Sequence, residues 1–191
     1  MTGITSHGTN WKRWRVAAWA AIPAVLLAPL VAMQFTEEVD WTVFDFIFVA
    51  VALSAGLLLL ELTVRMTRDS AYRAGAAVAV GTALLLVWVT GAVGIIGTEN
   101  NDANLMFGAV LAVAVVGSIA GRVRADGMMR AFVATAVVQA AVGVIAIAGR
   151  MGDADPNWPA DVAGLTVLFT GLWLLAAWLF RRAAAPARAL Q

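Results

Sequence analysis

Few side chains in this sequence could do chemistry, and their types narrow what that chemistry is. There is no cysteine, and the one histidine, His7, lies ahead of the first apolar run. Disulfides, thiolate metal sites and histidine-held metals inside the apolar runs are therefore excluded, and no cofactor is expected. Past the N-terminal tail the only serines are Ser54, Ser70 and Ser118, and none has a base and an orienting group at a recognisable spacing. The expectation is a protein that is not an enzyme.

What remains are carboxylates and amides placed against apolar sequence. Asp45 falls a few residues inside the second apolar run, beside Trp41 and Phe44. Two roles stand for it: a carboxylate near the headgroups favoured by the positive N-terminal end of its own helix, which is the simpler, and a relay for cations or protons. Glu61 precedes Arg65 by four residues, the favourable order for an ion pair along a helix. Gln139 sits mid-way along the fifth run, where an unpaired amide is costly. Ala131, Thr135, Gln139 and Gly143 recur every four residues and share one helix face, so helix packing is the main reading and a solute site the other.

Small residues recur elsewhere. Gly117 and Gly121 have the GxxxG spacing, preceded at the same period by Ala109, and the third run carries Gly75, Ala79, Ala83 and Gly91, interrupted by Val87. Together these stripes point to a tight core built from helices three, four and five. Glu99, Asn100, Asn101, Asp102 and Asn104 form a loop rich in oxygen ligands, suited to a cation or a polar ligand. The loop lacks the DxDxDG spacing of a calcium site, and helix capping explains it more simply, so no metal site is assigned. Asp153, Asp155 and Asp161 pose the same pair of readings.

The elements that position these residues follow from hydropathy. The chain of 191 residues is 62% hydrophobic and 13% charged, where a soluble domain carries about a quarter charged residues. Charged residues cluster between apolar runs long enough, at about 20 residues, to cross a bilayer as helices. Six such runs cover residues 14–33, 43–64, 72–96, 105–121, 128–148 and 162–180. Each is too long for a barrel strand and none alternates with period two. The fold class is all-α: a polytopic transmembrane bundle of six helices forming a single domain over 1–191.

Basic residues set its direction. Lys12, Arg13, Arg15, Arg65, Arg68, Arg73, Arg122, Arg124, Arg130, Arg181, Arg182 and Arg188 fall on one side if all six runs cross, and only Arg150 falls on the other. Short loops rich in arginine stay inside, which puts the N-terminus and the C-terminus in the cytoplasm. Glu37, Glu38, Asp40, Glu99, Asp102, Asp153, Asp155 and Asp161 lie on the opposite side. The tryptophans agree: Trp11, Trp14 and Trp178 near the inner interface, Trp41 and Trp158 near the outer, and Trp88 and Trp173 deeper, packed between helices or facing lipid. The first run has the basic start of a signal peptide but is long for one, so a retained helix is expected. Twelve arginines to one lysine, with abundant alanine, fit a bacterial inner membrane.

Two internal relationships bear on function. Helices two and three echo helices four and five when Arg73 is aligned with Arg130, although alanine-rich helices align readily. Loops are short, so no soluble domain is inserted. The basic clusters are spread as topology requires, which gives nucleic-acid binding no support. The leading expectation is an accessory or scaffold protein that packs against partner membrane proteins or a second copy of itself. The alternative is a small oligomeric transporter or channel for an ion or neutral solute, with Asp45 and Gln139 in the path. Either way the first partner is the lipid bilayer.

Overall fold

In hydrocarbon a backbone must satisfy its own hydrogen bonds, and a helix does so within one segment. The computed structural model describes the backbone of residues 6–36 and 40–188 and the side chains of 15–36 and 40–185. It contains α1 (Ser6–Ala32), α2 (Val43–Met66), α3 (Ser70–Ala92), α4 (Met106–Ala120), α5 (Ala125–Ala148) and α6 (Ala160–Arg188), with a 3-10 turn, Asp102–Leu105, leading into α4. No strand occurs among the described residues. All six helical segments are long and apolar enough to cross a membrane, and the protein is of the multi-pass membrane class. The side chains of His7, Trp11, Lys12, Arg13, Trp14, Glu37, Glu38 and Arg188 lie outside the described residues, so the readings placed on them above go no further.

Boundaries differ from the sequence expectation in three places. Helix α1 begins at Ser6 rather than near residue 14, and α6 continues past Phe180 to Arg188. The third correction matters more. Helix α3 stops at Ala92, and Val93 to Ile96, expected to be its last turn, are a folded-back loop. The break follows from Gly94 and Gly97, whose φ angles of 81° and 69° lie in the left-handed region that side chains disfavour.

The chain divides into two compact units, Met1–Glu61 and Leu62–Gln191. In the first, α1 carries Pro23 and Pro29 inside the helix, each removing one backbone donor. Gly56 is the only buried residue in the described part of this unit. The two helices are linked by Glu61, which meets side chains of α1 described below.

The second unit is a bundle in which α6 lies against both α3 and α5, and α5 lies against both α6 and α4. This overturns the expected core of helices three, four and five: α3 and α4 barely meet, and α6 stands where α4 was expected. The stripe on α3 explains why. A Cβ added at Gly75 would meet the Phe180 ring at 3.2 Å and Leu179 at 3.3 Å, so the small residue accommodates α6. The core between these helices is aromatic. Phe132 of α5 stacks on Trp173 and on Phe180 of α6, each at 5.6 Å, and Phe180 receives Tyr72 of α3 edge-on at 4.9 Å.

Where α4 meets α5 the backbones themselves touch. A Cβ on Gly121 would sit 2.7 Å from the carbonyl carbon of Gly127, and one on Gly117 would sit 2.9 Å from the Ala131 Cβ. The GxxxG pair is therefore the α4 side of a close crossing at the start of α5.

Local caps order the turns at the end of this unit that carries Arg68, Arg122 and Arg124. The Asp69 carboxylate accepts from the Tyr72 N–H at 2.7 Å and caps α3. The Arg73 guanidinium donates to the Val64 and Thr67 carbonyls, each at 2.9 Å, satisfying acceptors at the end of α2. The Tyr72 hydroxyl donates to the Val123 carbonyl at 2.6 Å and ties the α2–α3 turn to the α4–α5 turn.

The α4–α5 crossing predicts a contrast. Gly121→Ala forces two backbones apart and should lower stability by about 1–3 kcal/mol, the usual range for overpacking. Gly108→Ala, inside α4 where an added Cβ meets nothing within 4 Å, should be neutral or raise stability by up to about 1 kcal/mol. Thermal unfolding of both variants in one detergent measures the difference.

Candidate functional site

The two carboxylates of α2, Asp45 and Glu61, are both engaged locally. Thr42 and Asp45 form a reciprocal cap on α2: Asp45 Oδ2 accepts from the Thr42 N–H at 2.8 Å and from its hydroxyl at 2.7 Å, while the Asp45 N–H points to Thr42 Oγ1 at 3.4 Å. Trp41 packs edge-on against Phe46 at 5.2 Å, adding the apolar staple that accompanies such a cap. The signal for this was present in the sequence as Thr42 followed three residues later by an acid. Glu61 accepts from the Trp19 indole N–H at 3.1 Å and pairs with Arg15 Nε at 3.4 Å. Arg15 and Trp19 are one turn apart on α1, a partnership the Glu61–Arg65 spacing did not reveal.

The asparagine-rich loop has a different organiser from the residues singled out in the sequence. Asn104 is buried, and its Oδ1 accepts from the backbone N–H groups of Ile95 and Ile96 at 3.0 and 2.9 Å. Its Nδ2 donates to the Thr98 carbonyl at 2.8 Å and to the Ile96 carbonyl at 3.4 Å. One side chain thus replaces the helical bonds that Ile95 and Ile96 would otherwise have made, while their own side chains stay buried. Asn101 works in parallel. Its Oδ1 accepts from the Ala103 N–H at 3.0 Å and caps the 3-10 turn, and its Nδ2 donates to the Met151 carbonyl at 2.7 Å, joining the α3–α4 loop to the α5–α6 loop. Glu99 is exposed and accepts from Asn100 at 2.9 Å, and Asp102 is exposed at the start of the 3-10 turn. Arg150 pairs with Asp153 at 3.2 Å. No three acidic or histidine side chains converge on a metal position among the described residues.

Gln139 lies in the interior of the second unit. It is fully buried, and neither amide atom has a hydrogen-bond partner. The hydroxyls of Thr166 and Thr170 and the Trp173 indole N–H on α6 are buried and unpartnered as well. Phe132 stacks on Trp173 two turns away along α5, and a Cβ at Gly143 would collide with Thr166. Gln139 lies between those two levels, on the face of α5 turned to α6. Thr135, one turn earlier and also fully buried, donates to the Ala131 carbonyl at 2.9 Å. The stripe is buried along its length, but Ala131 meets Gly117 of α4 while Gly143 faces Thr166 of α6, and the Gln139 amide bonds to neither helix.

A groove of about 580 Å³ lies between the C-terminal end of α3 and the first turns of α6. Val89, Ile95, Leu165 and Leu168 wall it, and Asp155, Trp158 and Asp161 stand along it. Asp155 Oδ1 accepts from the Asn157 N–H at 2.8 Å. The sequence marked the acids and the tryptophan singly; the groove arises only because α3 ends early and α6 packs beside it.

Comparison with protein-family models, with curated proteins and with solved structures finds no match for this chain.

Two substitutions separate these polar groups by role. Asn104→Ala strands two buried backbone donors and should cost about 2–4 kcal/mol, with amide exchange at Ile95 and Ile96 rising before that of α5. Gln139→Leu removes two unpartnered polar atoms at similar volume and should leave stability unchanged or raise it by about 1 kcal/mol, read as a higher melting temperature. A fall instead would mean that the amide is bonded in the membrane.

Proposed function

We propose that this protein is an accessory or scaffold component of a membrane, packing against partner membrane proteins or against a second copy. The observation that carries this reading is the engagement of both carboxylates of α2: Asp45 closes a helix cap and Glu61 binds Arg15 and Trp19. A group that hands on a proton or an ion needs lone pairs free for it, and Asp45 Oδ2 and Glu61 Oε1 already accept from neighbours. Transport draws correspondingly less support, and Gln139 adds little to it because the amide is enclosed by packed helices.

Partner packing is supported from α2, where Phe44, Ile47, Phe48, Val51, Leu58 and Leu62 are exposed. Without a hydrophobic driving force in lipid, association there rests on shape and dispersion, for which large apolar side chains on one helix provide area. In this reading the arginine-bearing turns at Arg68 and Arg122 face the cytoplasm with both termini, by the charge rule. The arginine-rich composition favours a bacterial inner membrane as the location.

Photo-crosslinking from within the membrane tests the proposal. A benzophenone side chain at Phe48 or Leu58 is expected to give a discrete protein adduct, dimeric or heteromeric, in native membranes. Lipid adducts alone at both positions, together with cation or proton flux in liposomes that Asp45→Asn abolishes, would overturn it in favour of transport.

A further inference from the structure

The groove beside α6 combines three properties that packing alone does not require. Its walls are aliphatic, its acidic side chains are two carboxylates, Asp155 and Asp161, and an indole, Trp158, lies among them. Its size falls in the range that encloses a drug-sized organic molecule, about 300–1,000 Å³.

Charge selects the occupant. Helix α3 ends against the groove, and the Val89 carbonyl, which accepts from Val93 and Gly94, belongs to its negative C-terminal end. The opposing positive end of α6 is offset by Asp161 in its first turn. Among the described residues, Arg150 is the only basic one in the two loops at this end, and it is paired with Asp153. No cation therefore stands ready for a phosphate or carboxylate, and a phospholipid headgroup would bring its phosphate against Asp155 and Asp161. A cation meets the Asp155 carboxylate, a helix C-terminus and an indole, while Asp161 offsets the repulsion of the α6 N-terminus.

We propose that this groove binds lipophilic organic cations, molecules with an apolar body and a single positive centre that reach it from the outer part of the bilayer. The body lies against Val89, Ile95, Leu165 and Leu168, and the positive centre lies at Asp155, Asp161 and Trp158. The proposal stands apart from the scaffold reading, since a binding groove and a partner surface occupy different helices.

Two ions of one shape and opposite charge give the test. Binding of radiolabelled tetraphenylphosphonium and tetraphenylborate to the full chain in lipid nanodiscs is measured by equilibrium dialysis, with empty nanodiscs subtracted. The phosphonium should bind saturably and the borate should not. Asp155→Asn combined with Asp161→Asn keeps the oxygen acceptor at Asp155 and a good residue at the α6 start, and should weaken phosphonium binding at least tenfold. Gly164→Phe should abolish it, because Gly164 lines the groove and a Cβ there meets nothing within 4 Å, leaving the helix undisturbed. Gel filtration and melting temperature confirm that both variants fold. Absence of saturable phosphonium binding, equal binding of the two ions, or binding indifferent to both variants would overturn the proposal. So would native mass spectrometry showing a phospholipid retained by the wild type and the double Asn variant but lost from Gly164→Phe, which would assign the groove to lipid.

Discussion

Hydrocarbon supplies no hydrogen-bond partner, so a polar group inside it is costly unless it finds one within the protein. Helices meet this requirement along their length and fail it at their ends, where four donors or four acceptors are left open. Much of the side-chain chemistry here addresses those ends. Thr42 with Asp45 closes the start of α2, Arg73 closes its finish, and Asp69 closes the start of α3. Asn104 extends the principle beyond a helix end: its amide matches two donors and two acceptors of an irregular segment, which lets Ile95 and Ile96 remain buried without helical bonds.

Helix contacts in the second unit use two different solutions. Small residues let α4 and α5 approach until Gly121 meets Gly127, so dispersion acts between backbones. Between α5, α6 and α3 the distance is filled instead by Phe132, Trp173, Phe180 and Tyr72. Aromatic layers of this kind give α6 two packed faces, which explains why it is the neighbour of both α3 and α5. Small-residue stripes mark where a helix can be approached closely; they do not say which helix will lie between two others.

That distinction sets how far the amino-acid sequence could be read. The number and rough extent of the helices were legible because span length and arginine placement are one-dimensional signals. The core was not, because Gly75 and Ala79 look the same whether they receive α5 or α6. The end of α3 was missed because Val93, Ile95 and Ile96 continue the hydropathy; Gly94 and Gly97 were the clue, and Asn104 the device that made the break tolerable. The Thr42–Asp45 cap was readable from its three-residue spacing. The Glu61–Trp19 contact, spanning 42 residues, was not. The groove was beyond reach for the same reason as the core, since it depends on which helix lies beside the shortened α3.

Depth orders the polar groups by the energy each would lose if left alone. An ionised group deep in lipid costs more than a neutral amide, and a neutral amide more than a hydroxyl that can turn back to its own helix. The distribution follows that order. Glu61 has a cationic partner and an indole donor, and Thr82, Ser118 and Thr135 each donate to the carbonyl four residues earlier. The unpartnered interior groups among the described residues, Thr90, Gln139, Thr166, Thr170 and Trp173, are all neutral. Asp45, bonded to Thr42 and to no cation, lies in the first turn of α2, and Asp155 and Asp161 lie in the loop before α6 and in its first turn. Uncommitted charge beside an apolar groove is stable only at such a boundary, which is also the level at which an amphiphilic cation rests in a bilayer.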